Sequence, residues 1–251
     1  MSLPFLHITV FQVANIIIVM VLFFLGFKYL ETFWSYKISK PYAWENAVKK
    51  KLISKRLIKI EQGFRDKVRF YNLWFQIEQL KKNKVPGAFA ELGVHQGKTA
   101  SAIHHMDPER TLYLFDTFAG FTKEDLSQEL QKDDRFSTEM FADTSVEKVN
   151  EYINGNENLI FKAGFFPDTA VGLETESFAL VNIDADLYAP TVKALEFFYS
   201  RLVKGGVIIV HDYNHTWEGI PKALNGFITS IPESLVELPD WQGSALIVKN
   251  S

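Results

Sequence analysis

The hydrophobic rhythm of the chain changes twice along its length. Between residues 3 and 27 no charge occurs, and residues 16–25 are continuously apolar. At 1.5 Å rise per residue such a helix covers about 37 Å, enough to cross a hydrocarbon core of about 30 Å with some tilt. The basic start, shorter apolar core and small-residue cleavage site of a signal peptide are not evident. The pattern therefore predicts a transmembrane anchor over residues 1–30. A helical spacing follows: Trp44, Val48 and Leu52 recur at i, i+4, then Ile53, Leu57, Ile60 and Phe64, with lysines between them. This predicts a basic amphipathic helix over 42–62, lying on an anionic membrane surface or docked on a globular domain. A further helix is predicted over 65–82, completing a helical linker region at 31–84.

From residue 85 strands and helices alternate. The spacing predicts strands at 88–94, 111–116, 159–163, 178–184 and 206–211, with helices at 98–105, 145–153, 190–202 and 220–230. Residues 121–143 are polar and acidic and read as a partly helical excursion over a site. Two closing strands, 235–238 and 245–249, have no helix between them and predict an antiparallel hairpin at one edge. Near-continuous apolar strands with helices between them predict a parallel sheet covered on both faces, in one domain over 85–251.

Charge refines this picture. No Lys or Arg precedes the apolar stretch. Lys28, Lys37, Lys40, Lys49, Lys50, Lys51, Lys55, Arg56 and Lys59 follow it, against Glu31 and Glu45. The positive-inside rule predicts a single-pass protein of the cell membrane with its domain in the cytoplasm. The net charge of −3 shows no global basic field, so nucleic acid is not expected as a partner. The absence of cysteine excludes disulfides, thiolate metal sites and a cysteine nucleophile.

The candidate chemistry lies where apolar runs end in acids. Val181-Asn182-Ile183 leads into Asp184-Ala185-Asp186, and Gly206–Val210 leads into His211-Asp212-Tyr213. Asp184 and Asp186 share a face for as long as the strand lasts. In open α/β sheets ligands bind beyond the carboxyl ends of the strands. Acids at two such ends can converge on one hard cation and leave a carboxylate free as a base. The alternative is structural, since Asp after a strand often caps a helix or starts a turn. The first strand ends in Glu91-Leu92-Gly93 and turns through Gly97 into a helix; the second ends at Asp116, followed by Thr117. Glycines permit close backbone approach to a ligand, and an acid at the second strand end can accept ribose hydroxyls. Glu91, Gly93, Gly97, Asp116, Thr117 and Asp184 are thus candidate cofactor residues, with Glu91 placed to face its cationic part. No diphosphate clamp is evident, which favours S-adenosylmethionine over NAD. Among the histidines, His95 is a candidate lining of the cofactor site and His215 of the substrate site, whereas His104 and His105 read as surface or packing residues.

Five blocks carry a family resemblance. The runs Val85–Val94, Phe115–Phe121, Lys162–Thr169, Asp184–Tyr188 and Asp212-Tyr213 resemble the TylF-type macrocin O-methyltransferase family, in order, across about residues 65–250. The resemblance implies a class I methyltransferase sheet of seven strands, the last antiparallel. It further implies S-adenosylmethionine as methyl donor and a Mg²⁺-dependent (or Mn²⁺-dependent) transfer to a hydroxyl, often of a sugar. By position Asp184 and Asp212 look like metal ligands and Asp186 like the general base, with Tyr188 and Tyr213 as walls for a sugar. His211 departs from the family's acidic pair. Either it lies outside the metal's coordination, or the site takes a softer metal than Mg²⁺. The expected partners are the membrane and a small-molecule or lipid-linked sugar; self-association into a homo-oligomer stays open. A nucleotide-sugar or NAD enzyme, or a non-catalytic membrane scaffold, are the competing readings.

Overall fold

The structure is a computed structural model in which residues 9–129, 136–215 and 218–250 are described. The chain divides into two compact units, Met1–Ile53 and Ser54–Ser251. This division lies within the stretch read from sequence as linker, so residues 54–84 share a unit with the sheet.

In the first unit α1 (Val10–Ser39) contains an apolar stretch, Val10–Phe33, long enough to span a membrane and with none of its residues buried. Residues 1–8 of the predicted anchor lie outside the described residues. Then α2 (Tyr42–Lys49) ends sharply. Lys51 takes a left-handed conformation (φ +57), its N–H bonds Val48 O, and the N–H of Leu52 reaches back to Ala47 O. Those two bonds close the last turn and stop the helix. The single helix predicted over 42–62 is therefore two. The second, α3 (Lys55–Gly63), starts afresh where Ser54 accepts a hydrogen bond from the Leu57 N–H.

In the second unit α3 and α4 (Lys67–Lys82) precede the sheet. The strands are β1 (Ala88–Leu92), β2 (Leu112–Asp116), β3 (Leu159–Ala163), β4 (Phe178–Ile183), β5 (Leu202–Val210), β6 (Val236–Leu238) and β7 (Ser244–Val248). The intervening helices are α5 (Lys98–Met106), α6 (Lys123–Ser127), α7 (Val146–Ile153), α8 (Tyr188–Arg201) and α9 (Gly219–Ile228). The order is β3-β2-β1-β4-β5-β7-β6, with β1 to β5 parallel and β7 antiparallel to both neighbours. The chain builds outward from β1 to β3, then returns to the other side of β1 to lay down β4. That reversal opens a crevice at the carboxyl ends of β1 and β4, the place where such sheets bind ligands.

Every residue of β1 and β4 is buried, as expected of central parallel strands. One core cluster joins Ala88, Ala90 and Leu92 of β1 and Tyr113 and Phe115 of β2 to Leu195 and Phe198 of α8. Phe198 stands edge-on to Phe178 at 5.1 Å and stacks with Phe166 at 5.7 Å. The alternate residues Phe89, Leu112 and Leu114 are fully buried too, and α4 packs with α5 and β5. Both layers hold the strand ends in place, and the strand ends carry the acids.

Candidate active site

Four strand ends are stitched together by three backbone hydrogen bonds. The Gly93 N–H donates to Phe115 O at 2.9 Å, the Asp184 N–H to Leu92 O at 2.8 Å, and the His211 N–H to Ile183 O at 2.9 Å. Gly93 is left-handed (φ +85), and a Cβ there would stand 2.0 Å from the Asp184 carbonyl oxygen. Glycine at this position lets the turn after β1 touch the turn after β4. Since β4 ends at Ile183, the alternation of a strand does not govern Asp184 and Asp186. They converge because Asp186 is left-handed (φ +60), and Asp212 is left-handed as well (φ +62). Asp tolerates this conformation better than most residues, and two such positions at one site are where backbone strain serves function.

Asp184, His211 and Asp212 each place one ligand atom within 4.8 Å of the others. His211 Nδ1 lies 2.9 Å from Asp184 Oδ1 and 3.0 Å from Asp212 Oδ1. It is nevertheless buried without an aligned hydrogen bond. Around this trio Arg69 Nη2 donates to Asp184 Oδ2 at 2.7 Å, and Gln242 Nε2 donates to Asp212 Oδ1 at 2.8 Å. Burial alone would raise the Asp184 carboxyl, but Arg69 and His211 override it and hold it well below the usual carboxylate range. Burial, with Asp184 and Asp212 beside it, pushes Asp186 well above that range. Burial would lower His211, but Asp184 and Asp212 push it up to about 10. Crowded carboxylates in a buried place demand positive charge. A proton on His211 meets the demand, and so does a divalent cation with neutral imidazole as ligand. The mixed N/O donor set of the second arrangement suits Mn²⁺ at least as well as Mg²⁺.

The neighbouring half of the crevice is organised by backbone. Asp116 Oδ2 accepts the N–H groups of Val94 (2.7 Å) and His95 (2.8 Å), and Oδ1 accepts that of Phe118 (2.7 Å). The Asp116 side chain therefore shapes the turn after β1 while still lining the cavity. Gly97 is left-handed (φ +76) and opens α5. Gly93, Asp116, Thr117, Asp184, Asp186, His211 and Asp212 all line one cavity of about 350 Å³. Phe121 and Phe141, from the excursion expected over the site, line it too and meet edge-on at 5.3 Å. His95 lines it as expected, with Nε2 2.7 Å from Asp143 Oδ1; residues 130–135 of the excursion lie outside the described residues.

Some expected residues are elsewhere. Glu91 is not in the cavity lining: its side chain is buried, accepts from Asn182 Nδ2 at 2.8 Å, and is pushed up to about 8 by burial and by Asp184. It lies within the sheet and does not line the cavity. Gly97, beside Val149, and the side chains of Tyr188, Tyr213 and His215 do not line the cavity either; the Tyr213 hydroxyl bonds Asn225 at 2.7 Å. His104 is a buried packing residue, as read. Conversely, Arg69 and Gln242 were invisible in the sequence.

A profile of the macrocin-O-methyltransferase (TylF) family matches residues 64–244. The chain belongs to the TylF family. Among curated relatives, a tetracenomycin-type rhamnosyl 4'-O-methyltransferase of Streptomyces olivaceus is 29% identical over 58% of this chain and 60% of that enzyme. Demethyldecarbamoylnovobiocin O-methyltransferase of Streptomyces niveus is 28% identical over the same shares. The chain thus spans about 60% of the length of these relatives. Solved structures share the fold: the O-methyltransferase NovP has a TM-score of 0.61 at 23% identity, covering 74% of this chain and 81% of that one. The calicheamicin methyltransferase CalS11 reaches 0.59 at 20% identity, covering 72% and 78%. In this TylF-family chain the matched region begins at residue 64. It takes in α4 and Arg69 and leaves α1 outside.

Proposed function

We propose that this TylF-family chain is an S-adenosylmethionine-dependent O-methyltransferase acting on a sugar hydroxyl, dependent on a divalent cation and anchored in the cell membrane by α1 with its domain in the cytoplasm. The observation that carries this reading is the meeting of Asp184, His211 and Asp212 at one edge of a cavity whose other edge is the glycine turn and Asp116. The two curated relatives, both O-methyltransferases, support the reaction class.

In this reading Asp184, His211 and Asp212 hold the cation, which supplies Lewis-acid polarisation of the acceptor hydroxyl. Arg69 and Gln242 fix the two carboxylates through their hydrogen bonds, as outer partners of metal ligands do. The turn after β1, with Asp116 and Thr117, receives the nucleoside part of the methyl donor. Asp186, beside Asp184 and Asp212, is the general base: its ionised carboxylate takes the proton of the acceptor hydroxyl. Transfer forms one O–C bond and breaks one S–C bond, and the hydroxyl proton passes to an Asp186 oxygen. Holding the two reactants in register provides much of the rate.

The test is methyl transfer from labelled S-adenosylmethionine to a panel of sugar acceptors by the full chain in detergent, before and after EDTA. Transfer that EDTA stops and Mn²⁺ or Mg²⁺ restores supports the reading. Full activity after metal stripping removes the cation from it.

A further inference from the structure

A second cavity, of about 1100 Å³, opens from the first. Arg69, Lys98, Thr99, His211 and Gln242 line both, so a molecule lying in the larger groove has one end at the candidate metal site. The groove is basic. Arg56, Lys59, Arg65, Lys67, Arg69 and Lys98 line it, against Asp66 and Glu151, although the whole chain carries a net charge of −3; Lys67 is paired with Glu61 at 3.7 Å. The Asp66 carboxylate is already committed to the N–H groups of Arg69 (3.0 Å) and Trp241 (2.7 Å). Arg69 is committed to Asp184, and Arg56 to the carbonyls of Tyr152 and Ile153. Lys59, Arg65 and Lys98 are exposed and form no ion pair with any carboxylate among the described residues.

A neutral sugar is a poor match for such walls. Each sugar hydroxyl both donates and accepts, whereas lysine and arginine only donate. A phosphate or diphosphate only accepts, and multiple ammonium and guanidinium groups are its usual partners. The rest of the groove suits a ring next to the charge. Trp241 is 83% exposed, and the Arg65 guanidinium stands 5.8 Å from its ring centroid. Its indole is a ready platform for the face of a sugar. Resting on the proposed reading as a sugar O-methyltransferase, we infer that the acceptor is a phosphorylated sugar: its hydroxyl sits at Asp184 and Asp212, and its phosphate or diphosphate is held by Lys59, Arg65 and Lys98. A nucleoside-diphosphate sugar and a lipid-diphosphate sugar share this chemistry.

The experiment uses the full chain in uncharged detergent, with EDTA present so that no cation bridges the probe. Pyrophosphate is titrated calorimetrically into wild type and into a Lys59→Ala/Arg65→Ala variant. Wild type should bind it, and the variant should bind about tenfold or more weakly, as expected for lost charge-assisted hydrogen bonds. S-adenosylmethionine affinity should stay within about twofold, which certifies the fold. No pyrophosphate binding by wild type, or equal binding by the folded variant, overturns the inference. So does a variant that keeps pyrophosphate but loses retention on phosphatidylglycerol vesicles, because the cations then serve a membrane surface. Turnover with a nucleoside-diphosphate sugar, a polyprenyl-diphosphate sugar and a neutral methyl glycoside then identifies the source. Methylation of all three with equal KM overturns the phosphate site and leaves the O-methyltransferase reading standing. Pyrophosphate binding without methylation of any sugar keeps the phosphate site and defeats that reading.

Discussion

The two sides of the cavity are built by different physics. Beyond β1 and β2, the surface is shaped by backbone: glycines with positive φ, and an Asp116 whose oxygens accept three N–H groups. Beyond β4 and β5 it is shaped by charge: Asp184, Asp186 and Asp212 crowd a buried space answered by Arg69 and His211. On the first side the Asp116 carboxylate is already satisfied by backbone N–H groups. The second carries an electrostatic demand that a cation and an acceptor can meet. The difference implies that donor binding and chemistry are separable by mutation.

The largest separation should come from Asp184→Asn. Loss of the charge that Arg69 and His211 surround should lower turnover by about 10²–10³-fold, the scale of removing one charge-stabilising group from an active site. S-adenosylmethionine affinity should change little; calorimetry beside a turnover assay checks both. Arg69→Met attacks the same side indirectly and should cost about 10–100-fold in turnover, as outer partners of metal ligands do, again with donor binding retained. Gly93→Ala breaks the comparison, because this glycine is where the sides touch. The added Cβ meets Asp184 O at 2.0 Å, so stability should fall by about 3 kcal/mol or more, seen as a lower denaturant midpoint. An unchanged midpoint would show that the two turns do not abut. The smallest effect is expected of Asp116→Asn. It turns an acceptor-only group into one with a donor facing N–H groups, so donor affinity should fall about tenfold while turnover at saturating donor stays near wild type.

The architecture was legible where long apolar runs alternated with amphipathic ones, as in β2 and α8, and where an acid stood directly after such a run. The order of strands placed those acids at one crevice, which the sequence pattern anticipated. Other features could not be read. The spacing of Asp184 and Asp186 suggested a shared strand face, but β4 stops at Ile183 and the loop backbone brings them together. In β1 every residue is buried, so the burial pattern could not say that Glu91 does not line the cavity. The helix over 42–62 was broken by a left-handed Lys51, a conformation that lysine does not advertise. Arg69 reaches Asp184 across 115 residues of chain, and no local pattern marks that pairing.

The central claim is that Asp184, His211 and Asp212 hold a divalent cation beside an independent donor site. Its most direct test is Mn²⁺ binding, followed by electron paramagnetic resonance on the full chain in detergent, in wild type and in Asp184→Asn, with S-adenosylmethionine titrated into both. The account predicts one Mn²⁺ per wild-type chain, at least tenfold weaker Mn²⁺ binding in the variant, and equal donor affinity in both. Mn²⁺ binding that the substitution leaves unchanged, or donor affinity that falls together with it, would contradict the account.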